Sequence, residues 1–185
     1  MITLAEMLRG LSGAARIVRF DASARDWFDG SLAAARRSFW AALLALPFDL
    51  LTRIIPSPAD PRGFDPAPDL LGYVIGWTAY PLAAWHIARA IGLSANYPRY
   101  LAAYNWLNLV QLALFAPLSA LIRLSGDTGD AAAIVGIGIN GLSAAYAYYT
   151  ARVMLAAAPP QAFGLVVVDY GITVTILRTI DALAR

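Results

Sequence analysis

Residues 100–124 read YLAAYNWLNLVQLALFAPLSALIRL, and Arg123 is the only charged residue among them. As an α-helix this stretch is about 37 Å long, enough to cross a bilayer hydrocarbon core about 30 Å thick. Four further apolar runs repeat the pattern, at 38–55, 70–91, 131–154 and 163–180. Five such runs in 185 residues predict an all-α, polytopic transmembrane helical bundle of about five spans. A four-span arrangement stays open, with the first run re-entrant or the last interfacial.

The composition agrees with lipid as solvent. Hydrophobic residues make up 59% of the chain and charged residues 14%, against about 45–50% and about 25% in soluble domains. A net charge of +2 is too small to point to nucleic acid. All fourteen basic residues are arginine, and cysteine is absent, so disulfides and thiol catalysis are excluded. The first apolar run starts only at Ser38 and lacks a short hydrophobic region with a cleavage site, so it reads as a retained anchor.

Residues 1–37 form a cytoplasmic amphipathic region, and 38–185 the transmembrane domain. Thr3 and Glu6 spell a capping box. Leu4, Met7, Leu8 and Leu11 then recur on one helix face, with Arg9 and Arg16 off it. Gly10 and Gly13 weaken that helix, and Asp21 with Ser23 offers a second helix start. Trp27, Phe28, Arg36 and Arg37 suit a segment lying in lipid headgroups. A short helix packed on the membrane domain is the alternative.

Residues 55–69 carry five prolines, which read as an irregular, exposed loop. Asp60, Asp65 and Asp69 face Arg62 alone there. Arginine placement sets the orientation. Nine arginines lie on the side of the N-terminus and five on the other, with six before the first span. The positive-inside rule then puts the N-terminus in the cytoplasm and the C-terminus outside.

Polar groups inside the spans are the candidate site. Asp49 and Asp169 lie within apolar runs, where a carboxylate is expensive. Arg53 follows Asp49 by four residues, the spacing of a same-helix ion pair. Asn105, Asn108 and Gln111 recur every third residue, close together on one helix face expected to point inward. These five residues either line a polar path or hold the bundle together by interhelical hydrogen bonds.

Other motifs fall away. Residues 136–141, GIGING, spell G-x-G-x-x-G inside an apolar helix without the strand and acidic residue that a dinucleotide site needs. Those glycines read instead as a packing surface, extended by Ser143 and Ala144. His86 is the only histidine and sits with Trp85 and Arg89 at an expected interface, so no metal set forms. No G-x-S-x-G occurs. Neither catalytic residues nor a cofactor is expected. Trp40, Trp77, Trp85, Trp106, Tyr146, Tyr148 and Tyr149 read as interfacial belts and packing anchors.

The layout resembles the bacterial Yip1-like (Yip1 domain) membrane proteins. The matching features are the amphipathic N-terminal region, SLAAARRSFW at 31–40 leading into a span with Pro47, and YLAAYNWLN at 100–108 opening a middle span. The D-L-Y-G-P motif of eukaryotic members is absent. The resemblance implies a non-enzymatic integral protein of the bacterial inner (cytoplasmic) membrane acting through helix–helix or lipid contacts, with no site residues to carry over. A small transporter or channel lined by Asp49, Asn105, Asn108, Gln111 and Asp169 is the other reading. The partners expected are the lipid bilayer, another membrane protein or a second copy, and a small-molecule substrate of unknown identity.

Overall fold

The computed structural model describes residues 2–55, 64–126 and 129–183. These form seven α-helices and two 3₁₀ turns, with no strand among the described residues. The order is α1 (Leu4–Val18), a 3₁₀ turn (Ala22–Trp27), α2 (Leu32–Arg37), α3 (Trp40–Arg53), α4 (Pro66–Ala90), a 3₁₀ turn (Ser94–Asn96), α5 (Tyr97–Ser125), α6 (Asp130–Met154) and α7 (Pro159–Leu183). Three helices are long and apolar enough to cross a membrane: α5 with its preceding turn, α6 and α7. Helix α4 equals α6 and α7 in length, but Tyr73, Trp77, Tyr80, Pro81 and His86 dilute its apolar character. Helix α3 has 14 residues and is about 21 Å long.

Local chemistry sets the helix ends. The Glu6 N–H donates to Thr3 Oγ1 at 3.2 Å and the Thr3 N–H donates to Glu6 Oε2 at 3.0 Å, completing the expected capping box. Ser31 caps α2 by accepting from the Ala34 N–H. Gly126 ends α5 with φ 67°, a left-handed conformation that glycine adopts without a Cβ clash. Residues 56–63 of the proline-rich loop lie outside the described residues. At its described end the expectation of a loop to Asp69 fails, because α4 already begins at Pro66. Prolines in a first helical turn are harmless, since their missing N–H groups have no intrahelical acceptor there.

Direction alternates from α3 to α7. Arg123 Nη1, near the end of α5, donates to the Ile55 carbonyl just past α3, so α3 and α5 end together. Arg53 at the end of α3 meets Asp69 at the start of α4. Ile180 at the end of α7 lies against Gly72 near that same start. Thus α3, α5 and α7 finish at one end of the bundle, where α4 and α6 begin.

The N-terminal elements cap the opposite end. Arg25 donates to the carbonyls of Val153 and, at 3.1 Å, Met154. Arg99 Nε donates to the Phe28 carbonyl at 3.0 Å. Burial concentrates there, with residues 100–107 of α5 all buried, along with Tyr80, Ala84 and Ala88 of α4 and Ala151 and Met154 of α6.

This cap departs from the expected N-terminal region in three ways. Helix α1 docks through Gly10, Gly13, Ala14 and Ile17, while Leu4 and Leu8 stay 67% and 56% exposed. The reason is steric. The Trp106 indole and the Phe28 ring fill the notches at Gly10 and Gly13, so the glycines that weaken the helix let it dock. Phe28 is buried in the core, and Arg16 lies over the Trp27 ring at 4.9 Å. Asp21 and Ser23 open a 3₁₀ turn. The region packs against α5 and α6, and Arg37 joins α2 to α1 by an ion pair with Glu6 at 2.7 Å.

Gly136, Gly138 and Gly141 also differ from expectation. A Cβ at any of them would meet nothing within 4 Å. Gly138 and Gly141 turn outward with Ile134 and Ile137, which are exposed, while Gly136 lies on the other side of α6, with Asn140 and Ser143.

Candidate functional site

Helix α7 packs on α4 and α6, whereas α5 packs on α1, α2, α3 and α6. A cavity of about 460 Å³ lies among α3–α7. It starts at the level of Trp77, Tyr104, Ala147 and Asp169 and runs toward Arg53, Gly72, Ser119, Ile139 and Leu177. Its axis therefore leads from mid-bundle to the end away from the cap.

Four of the five expected polar residues line it: Asp49 from α3, Asn108 and Gln111 from α5, and Asp169 from α7. Asp169 accepts a hydrogen bond from the Tyr104 hydroxyl at 3.0 Å. The Gln111 Oε1 is buried and has no hydrogen-bond partner among the protein atoms. A buried acceptor without a partner loses its hydration for nothing, so this atom is where a bound molecule or water would return the most.

Asp49 pairs with Arg53 as its spacing implies. Arg53 Nε donates to one Asp49 oxygen at 2.7 Å and Nη2 to the other at 3.3 Å, a forked geometry. Arg53 Nη1 also reaches Asp69 at 3.3 Å, and Asp69 is 1% exposed. Asp69 was expected in an exposed loop. Instead it sits in the first turn of α4, where its Oδ2 accepts the Asp65 N–H at 2.8 Å.

Asn105 departs from the other amides. It is fully buried and donates from Nδ2 to Ser38 Oγ at 2.9 Å, where α2 gives way to α3. Ser38 Oγ in turn donates to the Ala35 carbonyl at 2.7 Å. Three residues turn a helix by about 300°, so each step of three slips back about 60°. From Asn105 to Gln111 the slip is about 120°, which splits the expected single face in two. Asn105 belongs to packing, and Asn108 and Gln111 belong to the cavity.

The sequence reading missed several wall residues. Tyr73, Tyr104, Asn140, Ser143 and Tyr170 all line the cavity. Tyr104 was within reach of the helical pattern, since it precedes Asn108 by one turn. Asn140 was hidden inside the rejected glycine motif. Its Nδ2 donates to the Gly136 carbonyl and its own carbonyl accepts from the Tyr170 hydroxyl, which ties α6 to α7. Below the cavity, toward the cap, the Tyr80 and Tyr100 hydroxyls share a hydrogen bond and the Tyr80 and Tyr104 rings lie 4.8 Å apart. The Tyr97 hydroxyl donates to the Pro81 carbonyl at 2.6 Å. This tyrosine cluster closes the inner end.

Among the described residues, no three of His, Asp or Glu come together as a metal set. Searches against known families, curated proteins and solved structures give no match to this chain.

Proposed function

We propose that this chain is a multi-pass membrane protein that binds a small molecule in the cavity among α3–α7 and moves it through the bilayer. The carrying observation is the meeting of Asp49, Asn108, Gln111 and Asp169, from three helices, on one cavity. Ionisable and amide groups are costly in lipid and are retained where they face a path or a partner. Apolar walls with a few convergent polar groups are what a small-molecule site requires.

In this reading α3 and α4 join α5, α6 and α7 as spans, five in all. The alternating direction of α3–α7 supports that count. The N-terminal cap then lies in the cytoplasm of a bacterium, on the arginine-rich side, and the cavity leads outward. The tyrosine cluster is the inner closure.

Solute uptake into proteoliposomes tests the proposal. A panel of small solutes should give uptake of at least one. Replacing Asp169 by Asn or Asn108 by Leu should abolish that uptake while leaving the melting temperature nearly unchanged. Uptake by both variants at the native rate would remove the cavity from the path.

A second reading has its own support. Gly138 and Gly141, beside the exposed Ile134 and Ile137, present an open face on α6, a surface that suits close helix contact with another membrane protein or a second copy. That is the Yip1-like mode of action, through helix or lipid contacts. Disulfide trapping of a Gly138→Cys variant between two copies in native membranes tests it, and a purely monomeric product would count against it.

A further inference from the structure

We infer that the cavity is built for a small organic cation, an ammonium carried on an apolar or aromatic body. This rests on the cavity being the functional site and adds the class of its occupant.

Charge comes first. The residues lining the cavity include two carboxylates, Asp49 and Asp169, and one guanidinium, Arg53. That leaves one net negative charge. Arg53 is already engaged, by both oxygens of Asp49 and by Asp69. An anion entering the cavity would have to displace a carboxylate from it. Asp169 differs, because its one hydrogen bond comes from the neutral Tyr104 hydroxyl and no cation pairs with it among the described residues. A charged group in a low-dielectric site calls for an opposite charge within a few ångströms.

The acceptors and walls agree. The Gln111 Oε1 also lacks a partner among the described residues, and an ammonium is a donor suited to either acceptor. Tyr73, Trp77, Tyr104, Phe115 and Tyr170 supply aromatic surface around the same space. Aromatic faces attract cations through the ring quadrupole, more strongly once water is excluded. A volume of about 460 Å³ falls within the usual range for a small-molecule site.

The chain has no cysteine, so one introduced thiol reports on the cavity alone. The experiment uses the full chain in nanodiscs of uncharged phosphatidylcholine, with Ser143→Cys as reporter and Ser119→Cys as an independent second. Both positions line the cavity. Each variant reacts with a trimethylammonium-bearing and a sulfonate-bearing methanethiosulfonate at low ionic strength, with rates normalised to a free thiol. The cationic reagent should be favoured about tenfold at Ser143, one helical turn from Ala147 at the level of Asp169, and less at Ser119, at the far end of the cavity. That is the effect of one unit charge on two reagents of opposite sign about 6 Å away at the dielectric of water.

Adding Asp169→Asn should bring the two rates together, and Asp169→Glu should keep them apart. Phenethylammonium should slow labelling, while 2-phenylethanol at the same concentration should not. Equal rates for the two reagents in both reporters would overturn the cation inference and leave a wet cavity standing. If neither reagent reacts in either reporter, the cavity is closed to water, and the site proposal falls with it.

Discussion

Replacing Gly10 by Ala places a methyl group where the indole of Trp106 already lies. The added Cβ would sit 2.4 Å from Trp106 Cε2 and 2.6 Å from Cδ2 and Nε1. Carbon atoms prefer about 3.5–4.0 Å, so the ring or helix α1 must retreat by about 1 Å. Trp106 is 4% exposed and cannot swing into solvent. Overpacking of this kind costs about 1–3 kcal/mol. Alanine in a helix interior returns about 0.8–1.0 kcal/mol of propensity. The net expectation is a loss of about 1 kcal/mol, felt as α1 lifting from α5.

Gly164→Ala is the matched control. Gly164 lies within α7, and a Cβ there meets nothing within 4 Å, so only the propensity gain acts. The two variants should therefore separate by about 2 kcal/mol. In a protein of this size that is about 4–8 °C in melting temperature. The assay is thermal unfolding of both variants in the same detergent, with limited proteolysis to detect release of the first helix. If Gly10→Ala melts at or above Gly164→Ala, the close approach of α1 to Trp106 is wrong.

Other perturbations separate packing from path. Arg53→Met takes the guanidinium away from the buried Asp69 and the partly buried Asp49; urea or thermal unfolding should show a loss of about 3 kcal/mol, the low end for a broken buried pair because Arg53 and Asp49 keep some exposure and Asp69 keeps the Asp65 N–H. Asn105→Leu should change stability by less than about 1 kcal/mol: it loses the bond to Ser38 but also removes an unpartnered Oδ1, and Ser38 keeps its bond to Ala35. A loss several times larger would mean that Oδ1 is satisfied by a buried water. The Thr3 backbone N–H, aided by Arg37, holds the Glu6 carboxyl below its usual value. A depressed carboxyl stabilises the fold above its unfolded pKa and loses that contribution as pH falls through the folded value. Amide protection at the start of α1, measured against the intrinsic exchange rate at each pH, should therefore fall as pH drops below about 4, and unchanged protection in that range would deny the cap its ionic part.

Much of the candidate site was legible because lipid makes polar residues conspicuous. Asp49, Asn108, Gln111 and Asp169 stand out in apolar runs, and the Asp49–Arg53 pair follows from helical spacing alone. Asp69 was not legible, because prolines around it suggest a loop, yet Pro66 and Pro68 fit the first turn of α4. Asn105 was grouped with its neighbours because three residues nearly close a helical turn. Over two such steps the error of about 60° per step separates packing from cavity.

The sequence by itself determined what depends on neighbours along the chain: helix location, the capping box at Thr3 and Glu6, the carboxylates in apolar runs and the ion pair within α3. Only the tertiary structure decided what depends on approach between distant segments. It decided that α1 docks by its glycines and leaves its leucines outside, that the glycines of α6 find no close neighbour among the described residues, and that four polar residues from three helices share one space. Periodicity names the faces of a helix. Which face is covered depends on the shape of the surface it meets, and at Gly10 and Gly13 that surface is an indole and a phenyl ring that only a bare backbone can accept.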